Sequence, residues 1–186
     1  MSREYLFTSA RLGFRNWHEP DILPMSEINA DHAVREFFPG ILNFNETKEF
    51  IERMQRLMAD KGYCYFAVDK LDNGEFIGFI GLADVTFESS FTPCTDIGWR
   101  LASKEWNRGY ATEGAIKCLD HAFNRMNIPK VYSMAPKINL RSVRVMEKTG
   151  MKKAGDFIHP LLADDERLRE CVLYKILRTP DNDDIL

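Results

Sequence analysis

A chain of 186 residues, 45% hydrophobic and 28% charged, has the apolar material for one sizeable core and too little length for two. Its net charge of −3 leaves no basic footprint for nucleic acid, and no apolar run approaches the roughly 20 residues that span a bilayer, so neither nucleic acid nor membrane is an expected partner. The first residues lack a basic stretch followed by an apolar one, so no signal peptide is expected, and the scattered Cys64, Cys94, Cys118 and Cys171 read as small core residues of a reducing cytoplasm.

No repeat or linker divides the chain, which reads as one domain over 1–186 with a loose tail at 179–186. Leu12 to Asn16 is expected to be the first strand. A helical region follows from about Pro20 to Phe38, interrupted near Pro24 and closed by Pro39-Gly40. Asn45 is the expected N-cap of a helix to Lys61, because Phe50, Ile51, Met54, Leu57 and Met58 form one apolar stripe and Gly62 fits the stop. Tyr63 to Asp69 is aromatic and β-branched, and the turn Asp72-Asn73-Gly74 pairs it antiparallel with Glu75 to Asp84. After a looser stretch, Thr95 to Leu101 is the next strand. A helix ending near Met126 carries Ala115, Ile116, Leu119, Ala122, Phe123 and Met126 on one side. Lys130 to Ala135 is a strand, Asn139 to Thr149 a helix capped by Asn139 and stopped by Gly150, and Glu170 to Ile176 a closing strand. The strand-helix-strand unit at 95–135 predicts a parallel crossover inside an otherwise antiparallel sheet, in a mixed α/β (α+β) domain.

The most informative segment is Trp106-Asn107-Arg108-Gly109-Tyr110-Ala111-Thr112-Glu113, between a strand and the start of a helix. The first N–H groups of a helix lack internal partners and the helix dipole adds positive charge there, so a glycine turn at this point is a natural phosphate cradle.

These residues also carry a resemblance. Arg108-Gly109-Tyr110-Ala111-Thr112, placed after Ile97-Gly98-Trp99-Arg100-Leu101, is similar to the acetyl-CoA signature of the GNAT N-acetyltransferases. Asn139-Leu140-Arg141-Ser142 and Val145-Met146-Glu147-Lys148-Thr149-Gly150-Met151, about 30 residues downstream, are similar to the second half of that pattern. Thr8 to Leu12, Ile77 to Leu82 and Val172 to Tyr174 add to the likeness, which runs over about 8–178 and most resembles the RimJ/RimL-like branch.

The resemblance implies a mostly antiparallel sheet with one central parallel crossover and helices on both faces. It implies that acetyl-CoA is the co-substrate, that Asn107, Arg108, Gly109, Tyr110, Ala111 and Thr112 hold its pyrophosphate, and that the backbone at Trp99 and Leu101 pairs with its pantetheine arm. Asn139, already a natural cap, is implied as a further contact. Many members use a tyrosine to protonate the departing thiolate; the matching residue here is Met146, and the branch implies Ser142 in its place. An acidic residue at Asp96 is implied as general base. An α-amine is about a tenth neutral at pH 7, whereas a lysine is neutral to only about one part in a few thousand, so an N-terminal acceptor needs less help. An unperturbed aspartate is a weak base, and Asp96 must be desolvated or act through water to serve.

His18, His32, His121 and His159 show no metal-ligand spacing, so no metal is expected, and His159 reads as a loop residue. No cysteine is placed as a nucleophile. The expected activity is direct acetyl transfer from acetyl-CoA to a primary amine, a protein N-terminus or a small molecule, with a homodimer left open. Residues 1–60 and 156–169 are expected to shape the acceptor site. The alternative is a CoA-binding regulatory module without catalysis. A nucleoside-triphosphate site is disfavoured by the absence of G-x-x-x-x-G-K-[ST].

Overall fold

The computed structural model describes residues 4–179, so the expected tail, apart from Thr179, lies outside them. In chain order the elements are β1 (Phe7–Thr8), β2 (Leu12–Arg15), α1 (Ile22–Ala30), α2 (Phe44–Lys61), β3 (Tyr65–Lys70), β4 (Phe76–Val85), β5 (Cys94–Leu101), α3 (Tyr110–Asn124), β6 (Lys130–Pro136), α4 (Leu140–Lys148), β7 (Lys152–Ile158) and β8 (Glu170–Leu177). The strands form one sheet in the order β1-β2-β3-β4-β5-β6-β8-β7. Every neighbouring pair is antiparallel except β5 and β6, which are joined by the α3 crossover.

Helices cover both faces. On one, the Phe79 ring of β4 meets Phe50 of α2 at 5.3 Å between centroids. On the other, α3 lies so close to β4 that a Cβ on Gly114 would stand 2.3 Å from Ile80 Cδ1. The stripe expected on α3 is buried at Ala115, Leu119, Ala122 and Phe123, but Ile116 points outward and is 47% exposed.

Several boundaries differ from the sequence expectation. Asn43, not Asn45, caps α2: its Oδ1 accepts from the Glu46 N–H at 3.0 Å while the Glu46 carboxylate accepts from the Asn43 N–H at 2.7 Å. Pro24 does not interrupt α1, because it sits in the first turn, where no backbone N–H is needed. The helix ends at Ala30 instead, and turns follow over 31–40. The edge strands β1 and β7 had no clear signal: β1 has two residues and β7 is exposed over most of its length.

A buried charge ties the N-terminal half together. Arg15, 2% exposed, donates to Asp69 through Nε and Nη2 at 2.7 and 2.9 Å and to Asp21 through Nη1 and Nη2 at 2.6 and 2.8 Å. Its fork is fully used, joining β2 to β3 and to the entry of α1. Removing Asp69 leaves Arg15 paired with Asp21 but takes the acceptor from its buried Nε and from one bond of Nη2, so Asp69→Ala is expected to cost about 2–4 kcal/mol of stability, read from urea unfolding.

Candidate functional site

The site is built where the β5–β6 ladder stops. The two strands register at a single pair, Asp96 with Tyr132. Backbone groups alternate sides along a strand, so Ile97, Trp99 and Leu101 turn theirs toward the β6 side. The Ile97 carbonyl accepts from Ser133 Oγ at 2.9 Å, and the Leu101 carbonyl accepts from the Trp106 indole at 2.9 Å. Trp99, between them, presents its N–H and carbonyl to the gap without a β6 ladder partner. This open strand edge lies at the place where the resemblance implies that a pantetheine arm pairs.

Beyond Leu101 the chain enters the glycine turn. Asn107 (φ 61°) and Gly109 (φ 82°) are both left-handed, and no side chain caps α3, which starts at Tyr110. Its first N–H groups are therefore available to an anion. Arg11 braces the turn from the N-terminal segment: Nη1 donates to the Arg108 carbonyl at 3.1 Å, Nε to Glu113 at 2.6 Å, and the guanidinium lies 4.4 Å over the Tyr110 ring.

A cleft of about 370 Å³ runs along these elements. Its lining brings together Trp99, Leu101, Asn107, Gly109, Tyr110, Ala111, Thr112, Asn139 and Ser142 from the expected set. Arg108 is outside it, with its side chain 57% exposed and Nε 3.7 Å from Glu105. Arg141, Arg144 and Lys148 of α4 add positive charge to the lining, with Arg141 4.7 Å over the Trp106 ring. A locally cationic wall facing a helix N-terminus fits a polyphosphate on a chain whose net charge is negative. Asn139 caps α4 by accepting from the Ser142 N–H at 3.1 Å. Met146 is 1% exposed and packs in the core, outside the cleft.

Asp96 is not in the cleft lining either. It is 7% exposed on the other face of β5, where Oδ2 accepts from the Tyr65 hydroxyl at 2.7 Å and Oδ1 has no partner. Burial raises its carboxyl to about 7, against a smaller lowering by the Tyr65 hydrogen bond. Gly98 makes the pairing feasible, since its missing Cβ would stand 3.1 Å from the Tyr65 ring that leans across it. Tyr65 was not among the expected residues. The cross-strand alignment of Tyr65 with Gly81 and of Gly81 with Gly98 is the signal that could have found it.

From the first 60 residues, Ala33, Val34, Phe37 and Phe38 line the cleft. The 156–169 stretch is partly β7; it does not line the cleft but reaches the same wall through Arg167, which donates to the Glu36 carbonyl at 2.5 Å. His159 Nδ1 accepts from the Leu161 N–H at 3.2 Å in a single helical turn. The four cysteines are free thiols, and none lines the cleft. Among the described residues, no three His, Cys, Asp or Glu side chains gather to hold a metal, and no helix is long and apolar enough to cross a membrane.

Residues 11–152 match the family described as Acetyltransferase (GNAT) domain. The chain belongs to the GNAT acetyltransferase family. It is 29% identical over 151 residues to the uncharacterized N-acetyltransferase YnaD of Bacillus subtilis, covering 81% of this chain and 84% of that one. A GNAT-family acetyltransferase from Bacillus anthracis superposes with a TM-score of 0.77 at 25% identity, covering 92% and 97% of the two chains. A ribosomal-protein-S5-alanine acetyltransferase from Vibrio fischeri superposes at 0.76 and 16% identity, covering 94% and 97%, and shares the fold. The protein is thus an acetyl-CoA-dependent acyltransferase of the GNAT class. At Gly109 a β-branched residue must adopt the left-handed conformation at a cost of roughly 1–2 kcal/mol. Gly109→Val is therefore expected to weaken CoA binding by about tenfold in calorimetry, with the fold intact by circular dichroism.

Proposed function

We propose that this GNAT enzyme moves the acetyl group of acetyl-CoA to a primary amine by direct attack in a ternary complex, with Asp96 as general base. The amine is a protein N-terminal α-amine, as in the RimJ/RimL-like branch, or that of a small molecule. The observation that carries the reading is the buried pair of Asp96 on β5 with Tyr65 on β3, beside the point where the β5–β6 ladder ends. A carboxyl raised to about 7 can accept a proton from an ammonium near neutral pH, which an ordinary aspartate does poorly. Because Asp96 is set back from the cleft, the proton travels by way of the Tyr65 hydroxyl or a water.

In this reading the neutral amine attacks the thioester carbonyl carbon. The Trp99 N–H stabilises the oxygen as it gains charge. The carbon–sulfur bond then breaks, Ser142 donates a hydrogen bond to the departing thiolate, and the proton that the nitrogen sheds on becoming an amide passes through water to that thiolate. The pyrophosphate rests on residues 107–112, with Asn139 Nδ2 as a further donor at the cleft wall. Direct attack is favoured over an acetyl-cysteine because no thiol lines the cleft, and burial holds the Cys94 thiol up at about 11.

Steady-state turnover of acetyl-CoA with an amine panel separates this reading from a CoA-binding module, which binds CoA tightly and turns over none. Asp96→Asn is expected to lower kcat/KM by roughly 10²–10⁴ and to abolish the rise in rate through about pH 7. Tyr65→Phe removes the hydrogen bond that lowers the carboxyl, so the same rise moves to higher pH. The stability effect has the opposite sign. A carboxyl raised from about 3.9 when unfolded to about 7 when folded favours the fold below the lower value, and that contribution is lost as pH rises through the upper one. Asp96→Asn is therefore expected to melt at a higher temperature than wild type at pH 8. Ser142→Ala is expected to lower kcat about tenfold or more with little change in the KM for acetyl-CoA.

A further inference from the structure

The face of β5 that carries Asp96 holds a second charged group that the acetyl-transfer steps do not use. Arg100 lines the cleft beside Val34, Phe37 and Phe38. Its Nη1 donates to Asn29 Oδ1 at 2.8 Å, and its guanidinium lies 4.4 Å over the Phe38 ring and 5.2 Å over Phe79. Its Nε is buried without a hydrogen-bond partner. Arg35, 8% exposed, stands over the same Phe38 ring at 4.4 Å, with Nε donating to the Gly40 carbonyl. Among the described residues no carboxylate forms an ion pair with either guanidinium, and Arg100 is pushed down to about 9 by burial first and by Arg35 second.

The same molecule supplies the contrast. Arg15 is only 2% exposed, yet every arm of its fork meets a carboxylate oxygen. An arginine kept for structure is paired in that way, because an unpaired buried charge is costly. At Arg100 the Nε–Nη2 edge is idle, and that edge is the side of a guanidinium that takes a planar carboxylate through two parallel bonds. The phosphates of CoA do not fill this role. They are met by the glycine turn that opens α3 and by the cations of α4, whereas the Arg100 side chain packs on the α1–α2 face against Asn29 and Phe79.

We infer that Arg100, backed by Arg35, binds a carboxylate carried by the amine acceptor. The acceptor class is thus an amine bearing a carboxylate, such as a free amino acid or an ω-amino acid. The inference rests on the amine-transfer reading above. Two arginines without an ion-paired carboxylate, with only the more distant Glu46 acting on Arg35, repel a polyamine, and a peptide N-terminus presents no carboxylate there unless a side chain supplies it.

The test uses matched probes at saturating acetyl-CoA: L-amino acids with their carboxamides, β-alanine with its amide, O-phosphoethanolamine and spermidine. Wild type is expected to prefer each carboxylate to its amide by about 10- to 100-fold in kcat/KM. Arg100→Gln is expected to erase that preference by losing the carboxylate rates alone, Arg100→Lys to keep part of it, and Arg35→Gln to weaken it, with the KM for acetyl-CoA unchanged in all three. Equal use of acids and amides by wild type, a preference for the phosphate or for spermidine, or an equal loss on acids and amides in Arg100→Gln overturns the inference and leaves N-acetyl transfer standing. Turnover of a peptide N-terminal amine alone, added to the panel, overturns the inference and leaves N-acetyl transfer standing, whereas CoA binding with no turnover of any probe or of that peptide overturns the transfer reading, and the inference with it. If Arg100→Gln does not fold, the wild-type comparison of each acid with its amide, together with Arg35→Gln, decides.

Discussion

The structure depends on one interruption: the β5–β6 ladder that stops after Asp96 and Tyr132. Sheet hydrogen bonding is ordinarily continued wherever two strands run side by side, since an unmet backbone group away from water is costly. Here the open edge is partly met by side chains, Ser133 at one end and Trp106 at the other. What they leave is the backbone of Trp99, a short length of strand without a β6 partner. A substrate with an amide-rich arm completes the sheet as a strand does, gaining directional bonds at little conformational cost to the protein. The parallel crossover serves the same end. It returns the chain through α3, whose N-terminus then lies at the end of the opened strand.

The charges of the chain divide by whether they are paired. Arg15 with Asp21 and Asp69, and Glu113 with Arg11 and Ser9, are closed sets in which each charged group has its hydrogen bonds. They hold β2 to β3 and the N-terminal segment to the glycine turn. Asp96 and Arg100 are open sets, each with one engaged arm and one buried atom lacking a partner. Both lie on the same face of β5, with Gly98 between them. Deficits of this kind lower stability in the free protein and are commonly concentrated at functional sites. Their coincidence on one strand face is a stronger sign of function than either alone.

Much of the geometry around the cleft was legible from residue order because it is made of local backbone features. The glycine turn, the strand before it and the Asn139 cap are local features, and local conformation is what short sequence patterns encode. The parallel crossover was legible for the same reason, since a strand-helix-strand unit has one favoured hand and pairing. The end of α1 was not, because Pro24 is harmless in a first turn and the turns over 31–40 carry no periodic signal. The cap falls on Asn43 instead of Asn45 because Glu46 reciprocates its hydrogen bond. β7 was hidden by its exposure, since an edge strand in water has no alternation to display.

The acceptor side is opaque to sequence for a different physical reason. Tyr65 reaches Asp96 across 31 residues, through a register that carries it over two glycines on neighbouring strands. Phe38 joins Arg35 and Arg100 from a turn and a strand more than sixty positions apart. No single segment of the chain predicts either contact. An aspartate at position 96 looks, in the sequence, like a poor base. Burial alters that assessment: water exclusion, not residue type, raises the carboxyl into the range where it can exchange protons with an amine, and the Tyr65 hydroxyl extends its reach. Where the fold puts this aspartate is what supports proposing it as the base.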